Sequence, residues 1–335
     1  MEKILKQLKW DGPDFSVVIQ KNDKDGKYVF TDVHQTYILK LEDMNKNEEG
    51  SENEKKVLGL LLNHPLANLP VPLKFITTPN NVNVSLMFNS GISLDGKSFK
   101  DKFNKLPTSK QFLSCTRTIL TGVHNLHSMG YVHRDITQGN VVYNQQNEQW
   151  TLIDFDFAVP FDYDAMGSEV IINKKYEWIV HPWFKLDKDD NMFFDVPRLK
   201  RYMKKTDINW YMLIDYYATA KVILYTFDLI LSYDSTVLSV IKDDNAILGL
   251  LKGNIESVSP IVKKVLKLLY SIIGSFEEGS DLPNAVDSWH DLQALAFNNP
   301  QINKRARNDT QNITGTVGKV TKRNKATGVM TYALI

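Results

Sequence analysis

Two short polar runs, HRDITQGN at 133 to 140 and LIDFD ending at Asp156, constrain the fold of this chain more than any other feature. Asp154 follows Asp135 by 19 residues, and the intervening NVVYNQQNEQWTLID reads as two strands around a polar turn near Gln146. A β-hairpin of that length brings its two ends together, so the spacing predicts that Asp135, Asn140 and Asp154 share one cleft. Ahead of the first run, SKQFLSCTRTILTGVHNLHSMG carries Phe112, Leu113, Ile119, Leu120, Val123 and Leu126 at helical spacing. This predicts a long buried helix ending at Gly130 that delivers the polar run through GYV.

The segments on either side of that helix differ in character. From Phe15 to Glu42, FSVVIQ, KYVFTDV and QTYILKLE read as three antiparallel strands, the first two separated by NDKDG. ENEKKVLGLLL follows as a helix with Val57, Leu58, Leu61 and Leu62 at helical spacing, and LKFITT and VNVSLMF flank the turn signal PNN. The expectation is a small five-stranded lobe with one helix. Beyond the polar runs the chain is mainly helical, with candidates at 208–232, 236–251, 258–274 and 285–297. The fold class is therefore α+β and bilobal, divided into 1–90, 91–298 and a tail at 299–335.

Here the order of residues resembles that of the protein kinase superfamily. HRDITQGN looks like its H-R-D-x-x-x-x-N catalytic loop and IDFD like its D-F-G turn. Lys40 in TYILKLE sits where the family places its third-strand lysine, Glu54 resembles the helix glutamate that pairs with it, and DYYATAKVILY from Asp215 looks like the large helix of the second lobe. The resemblance covers about residues 15 to 297. It implies a phosphotransferase using ATP and Mg²⁺, with His133, Arg134 and Asp135 in the catalytic loop and Asp135 accepting the proton of the attacking hydroxyl. It further implies that Lys40 binds the α and β phosphates, that Glu54 fixes Lys40, and that Asn140 and Asp154 hold the metal. Arg134 would suit a regulatory phosphate, and a protein Ser/Thr substrate is the first expectation.

The pattern is also broken in places. A glycine-rich loop should precede Lys40 so that backbone N–H groups approach the phosphates closely, but Gly26 is the only glycine available, with Asp23 and Asp25 beside it. The lysine usual in Ser/Thr kinases two positions after the catalytic aspartate is Thr137, and Asp156 replaces the glycine of the metal turn, where it either restricts the backbone or adds a carboxylate. TQGN is similar to small-molecule kinases and certain fungal kinase-like proteins. No A-P-E follows; EWIVHPWFKLDKDDNMFFDVPR stands instead, its aromatics expected to pack onto the lobe. Ser168 and Thr206 carry no specific phosphosite signal. A pseudokinase acting as a binding or scaffold module, favoured by the missing glycines and lysine, is the competing reading, and a small-molecule kinase is a variant of the first.

Composition narrows the remaining classes. A formal charge of +1 excludes a whole-molecule bias toward nucleic acid or membrane, and Cys115 as the only cysteine points to a reducing compartment, cytoplasmic or nuclear. MEKILKQLKW lacks the continuous apolar run of a signal peptide. KVILYTFDLILSY is interrupted by Asp228 and falls short of the roughly 20 residues of a membrane span, so no membrane partner is expected. The tail has seven basic residues against one acidic, and KRAR at 304–307 and KVTKRNK at 319–325 offer a nucleic-acid or nuclear-localisation patch against the plainer reading of a solvated tail. His124 and His127 have no carboxylate or cysteine at ligand spacing in the sequence and read as core or hinge-facing.

Overall fold

A computed structural model of the chain describes residues 2–22, 26–46, 48–94, 96–160, 184–186, 192–194, 210–229, 243–277, 282–298, 320–323 and 330–332. A short helix α1 (Glu2–Gln7) precedes strands β1 (Phe15–Asn22), β2 (Lys27–Asp32) and β3 (Tyr37–Asp43), then helix α2 (Glu48–Asn63) and strands β4 (Pro72–Thr77) and β5 (Val82–Phe88). The five strands form one antiparallel sheet, the five-stranded lobe expected from the sequence, in the order β1-β2-β3-β5-β4.

That alternation decides what each face of the sheet meets. Leu39, Val84 and Leu86 pack with Leu5 of α1, Leu8 just after it and Phe15, while Trp10 seals this face edge-on against Tyr37 at 5.0 Å between ring centroids. Residues one step away on β3, Lys40 and Glu42, belong to the opposite face, toward α2. Helix α2 buries Val57, Leu58 and Leu61 completely, and Glu54, one turn earlier on the same stripe, is buried with them. Leu62, which has the spacing of that stripe, lies on the outer side at 39% exposure.

Gly91 lies between the sheet and the helical lobe at φ 134°. A Cβ there would fall 2.4 Å from the carbonyl of Tyr143, so the crossing requires glycine. Strand β6 (Ile92–Ser93), helix α3 (Phe99–Phe103) and helix α4 (Ser109–Ser128) follow; α4 begins on a capping box between Thr108 and Gln111. Next come β7 (Tyr131–Val132), β8 (Val141–Asn144), β9 (Gln149–Leu152) and β10 (Val159–Pro160), with β6-β8-β9 and β10-β7 as two small sheets. The turn between β8 and β9 is held by Asn144 Oδ1, which accepts from the Gln146 and Asn147 N–H groups.

Two short strands, β11 (Phe184–Leu186) and β12 (Met192–Phe194), pair antiparallel within the EWIVHPWF…DVPR region. The rest of that region, with Trp178 and Trp183, lies outside the described residues, as do Ser168 and Thr206. The helical lobe continues with α5 (Trp210–Thr226), α6 (Asp244–Asn254), α7 (Pro260–Glu277) and α8 (Leu282–Asn298); strands β13 (Val320–Arg323) and β14 (Met330–Tyr332) pair in the tail, while KRAR lies outside the described residues. Among the described residues no helix is long and apolar enough to cross a membrane.

The core of the lobe is aromatic where it supports the loops. Trp150 on β9 is fully buried with Tyr143 at 4.6 Å and Phe99 and Phe227 at 6.4 and 6.3 Å, and Tyr216 of α5 stacks on Trp289 of α8 at 4.0 Å. The backbone of β9 is tied to the segment after α2, since Asn68 Nδ2 donates to the Trp150 carbonyl and the Leu152 N–H donates to the Asn68 carbonyl. Trp150→Ala removes the centre of this cluster and should cost about 3–5 kcal/mol, read as a fall in the urea midpoint at unchanged m-value. A loss within experimental error would show that the cluster collapses around the void.

Candidate active site

The sheet and α2 supply the upper half of the cleft. Because β3 alternates, Lys40 and Glu42 share a face, and Lys40 Nζ pairs with Glu54 on α2 and lies 2.8 Å from Glu42 Oε1. Cross-strand pairing adds a second cation: Lys27 stands directly opposite Glu42, so its side chain emerges on the same face. Lys27 Nζ lies 2.6 Å from Asp154 Oδ1, 3.5 Å from Asp156 Oδ2 and 3.8 Å from Glu42 Oε1. Lys40 reaches the same Asp154 oxygen at 3.2 Å and Asp156 at 3.6 Å.

The lower half is the HRDITQGN loop, and it is anchored from beneath by Asp215 of α5. That fully buried carboxylate accepts the backbone N–H groups of His133 at 2.8 Å and Arg134 at 2.9 Å, and its Oδ2 lies 2.8 Å from His127 Nε2. His133 is itself buried: its Nε2–H donates to the Ile153 carbonyl at 3.1 Å, and its Nδ1 accepts the Asp135 N–H at 3.3 Å. Burial holds this imidazole below its ordinary value, which fits the neutral tautomer those two bonds require. The His133 ring also meets Phe155 at 5.3 Å, tying the loop to the LIDFD segment.

Asp135 and Asn140 are locked together, since Asn140 Nδ2 donates to the Asp135 carboxylate at 2.7 Å and to its carbonyl at 2.9 Å. The Ile153 N–H donates to the Asn140 carbonyl at 2.9 Å, which brings Asp154 alongside. Arg134 and Asp154 both adopt left-handed backbone, at φ 66° and 67°, a conformation that costs non-glycine residues energy and persists where surrounding bonds fix it. Arg134 Nε donates to the Phe157 carbonyl at 2.7 Å, closing the loop against the segment after the turn.

Electrostatically the cleft is crowded with acids. Burial would push the Asp154 carboxyl up, but Lys27 and Lys40 outweigh it and hold Asp154 far below the usual carboxylate range. Burial and then the charge of Asp154 push Asp135 up to about 7 and Asp156 up to about 6. Burial and the neighbouring Glu42 push Glu54 well up, and oxygens of Glu42, Glu54 and Asp156 lie within 4.8 Å of one another. Burial opposes charge on Lys40, yet Asp154, Glu42 and Glu54 keep the ammonium charged. Four carboxylates thus surround two ammonium groups, an imbalance that suits a divalent cation, and the carboxylate and amide oxygens of Asp154 and Asn140 are donors that a hard cation accepts.

The structure therefore brings Lys40, Glu54, Asp135, Asn140 and Asp154 to one cleft, with His133 and Arg134 in the loop backbone that shapes it. Asp156 does not take left-handed backbone; it adds a carboxylate facing both lysines, and Asn53 Nδ2 bonds its carbonyl at 3.1 Å. His127 proves to be a buried core histidine. Lys27, Glu42 and the anchoring role of Asp215 are absent from the sequence reading. Glu42 had a signal, because two residues after Lys40 on a strand is the same face. Lys27 had only its place after the single turn glycine. Asp23 and Asp25 lie outside the described residues.

Comparison with known proteins bears on the fold. The family model described as "Protein kinase domain" matches residues 30–177, a stretch that runs from β2 through the catalytic-loop and LIDFD segments. The kinase PK-1 of Cydia pomonella granulovirus shares the fold with a TM-score of 0.53 and 13% sequence identity, over 88% of this chain and 96% of that one. No curated protein matches the chain.

Proposed function

We propose that this chain, whose residues 30–177 match the protein kinase domain model and which shares the kinase fold, is an atypical protein kinase transferring the terminal phosphoryl group of ATP to Ser or Thr hydroxyls. One observation carries the reading: the Lys40–Glu54 pair, Asp154 and the Asp135–Asn140 pair face a single cleft. Phosphoryl transfer needs positioning and charge neutralisation more than covalent chemistry, and these are the groups that supply both. Lys40 would bind nucleotide phosphates, steadied by Glu54. Asp135 would orient the attacking hydroxyl and accept its proton, with its backbone N–H set by His133 and its carboxylate by Asn140. Asp154 and the Asn140 amide oxygen would hold Mg²⁺, which when bound supplies charge neutralisation of the phosphates. The sheet lobe, residues 1–90, would carry nucleotide and the lobe at 91–298 the loop and substrate platform.

A binding module that no longer transfers phosphate is the second reading, favoured by the two lysines that both sit on Asp154 Oδ1. Phosphoamino-acid content separates the readings. Incubation of generic protein substrates with ATP and Mg²⁺ should yield phosphoserine or phosphothreonine; label confined to a small metabolite would select a small-molecule kinase, and nucleotide binding without transfer would select the module.

A pH profile tests the role of Asp135. Only its ionised form accepts a proton, so with the carboxyl pushed up to about 7, kcat/KM should rise through neutral pH on an acidic limb centred there. Asp156→Asn removes one of the negative charges that raise Asp135 and should move the limb to lower pH. A profile flat through neutrality, or a limb unmoved by that substitution, contradicts the assignment.

A further inference from the structure

We propose that Lys27 is a second phosphate-binding lysine, which takes over from the absent glycine-rich cradle and the uncharged Thr137 by moving from Asp154 to the phosphates of a bound nucleotide. The proposal rests on the phosphotransferase reading and adds to it a residue that the sequence pattern does not mark. A triphosphate requires several opposing charges or donors, and this chain lacks two of the usual suppliers: glycines that would let backbone N–H groups approach, and a lysine at Thr137. Lys40 alone is a small counterweight. Lys27 supplies another ammonium at the same atom, since both Nζ groups converge on Asp154 Oδ1, at 2.6 and 3.2 Å.

The surrounding carboxylates hold both lysines here, but two like charges on one oxygen repel each other, so a further anion that offers Lys27 a partner relieves the crowding. Lys27 is the more exposed of the two, at 13% against 7% for the side chain, so it occupies the outer position. Its position is also fixed. Gly26, at φ 65°, accepts the Asp43 N–H at 3.0 Å, and a Cβ on Gly26 would lie 2.6 Å from Asp43 Cβ, so the turn sets Lys27 opposite Glu42. When a metal claims the Asp154 carboxylate, the lysine ammonium groups lose a partner, and phosphate oxygens are the anions that would replace it.

Calorimetric titration of ATP with Mg²⁺, and separately of adenosine, into wild type and Lys27→Met tests this without relying on turnover. The expected result is ATP binding weakened about 10- to 100-fold in the variant, with adenosine affinity unchanged, since a hydrogen bond to a charged group contributes on that scale. Equal ATP affinity in the two proteins overturns the role of Lys27 and leaves the phosphotransferase reading standing. Loss of adenosine and ATP affinity together overturns it as well, showing a lysine that only supports the fold. Failure of wild type to bind ATP at all removes the phosphotransferase reading, and the proposal with it.

Discussion

Asp135→Asn is expected to lower kcat by about 10²- to 10⁴-fold while ATP affinity changes only a few-fold, the range associated with loss of a general base. The geometry explains the split. Asp135 is set by two groups that the substitution leaves in place, the His133 imidazole on its backbone N–H and the Asn140 amide on its side chain. An asparagine still offers the Asn140 amide an oxygen, so the loop should keep its shape and only proton acceptance is lost. Lys40, Lys27 and Asp154, which face the nucleotide side in this account, are untouched. Single-turnover rates with saturating ATP would measure the effect free of product release, and a variant that turns over at the wild-type rate would remove Asp135 from the chemistry.

Asp215→Ala should be the most damaging substitution in the helical lobe, lowering stability by about 3–5 kcal/mol as expected when one partner of a buried charged network is deleted. Three groups lose their acceptor at once: the N–H groups of His133 and Arg134, and His127 Nε2. Each is then buried without a partner, or the loop moves to find water. Activity should fall with stability, because the Arg134 backbone is held in its left-handed conformation from this side. The network also predicts acid sensitivity. Burial alone would raise the Asp215 carboxyl, but the hydrogen bonds from the His127 side chain and the His133 backbone N–H help hold it below its ordinary value of 3.8. The stability it contributes is therefore present above that value and lost as pH falls through the lower folded one, and chemical denaturation at a series of acidic pH values should show a slope that Asp215→Ala lacks. Identical slopes would place the acid sensitivity elsewhere.

The sheet was legible in advance because strand-favouring runs are separated by polar turn signals: VNVSLMF is strand β5 over the same residues, and the polar turn near Gln146 is where β8 turns into β9. Helix candidates at 258–274 and 285–297 correspond to α7 and α8, since their apolar stripes face one core. The described part of the candidate at 236–251 is α6 from Asp244, which Asp243 caps through the Asn245 N–H; residues 236–242 lie outside the described ones. Helix α1 escaped because six residues carry too little periodicity to read, and its reason for forming is tertiary: Leu5 and Leu8 cover the outer face of the sheet. The site shows the same division. Asp135, Asn140, Asp154, Lys40 and Glu54 could be read because their order is informative, whereas Lys27 and Asp215 act through contacts 127 and 81 or more residues away in sequence, which no local pattern encodes.

If one cleft built on Asp154 transfers phosphate from ATP, as proposed, then incubation of purified protein with γ-labelled ATP and Mg²⁺, wild type beside Asp154→Asn, should label protein with wild type and give only background with the variant. Equal incorporation by the two proteins, or none by a wild type that binds ATP, would contradict it.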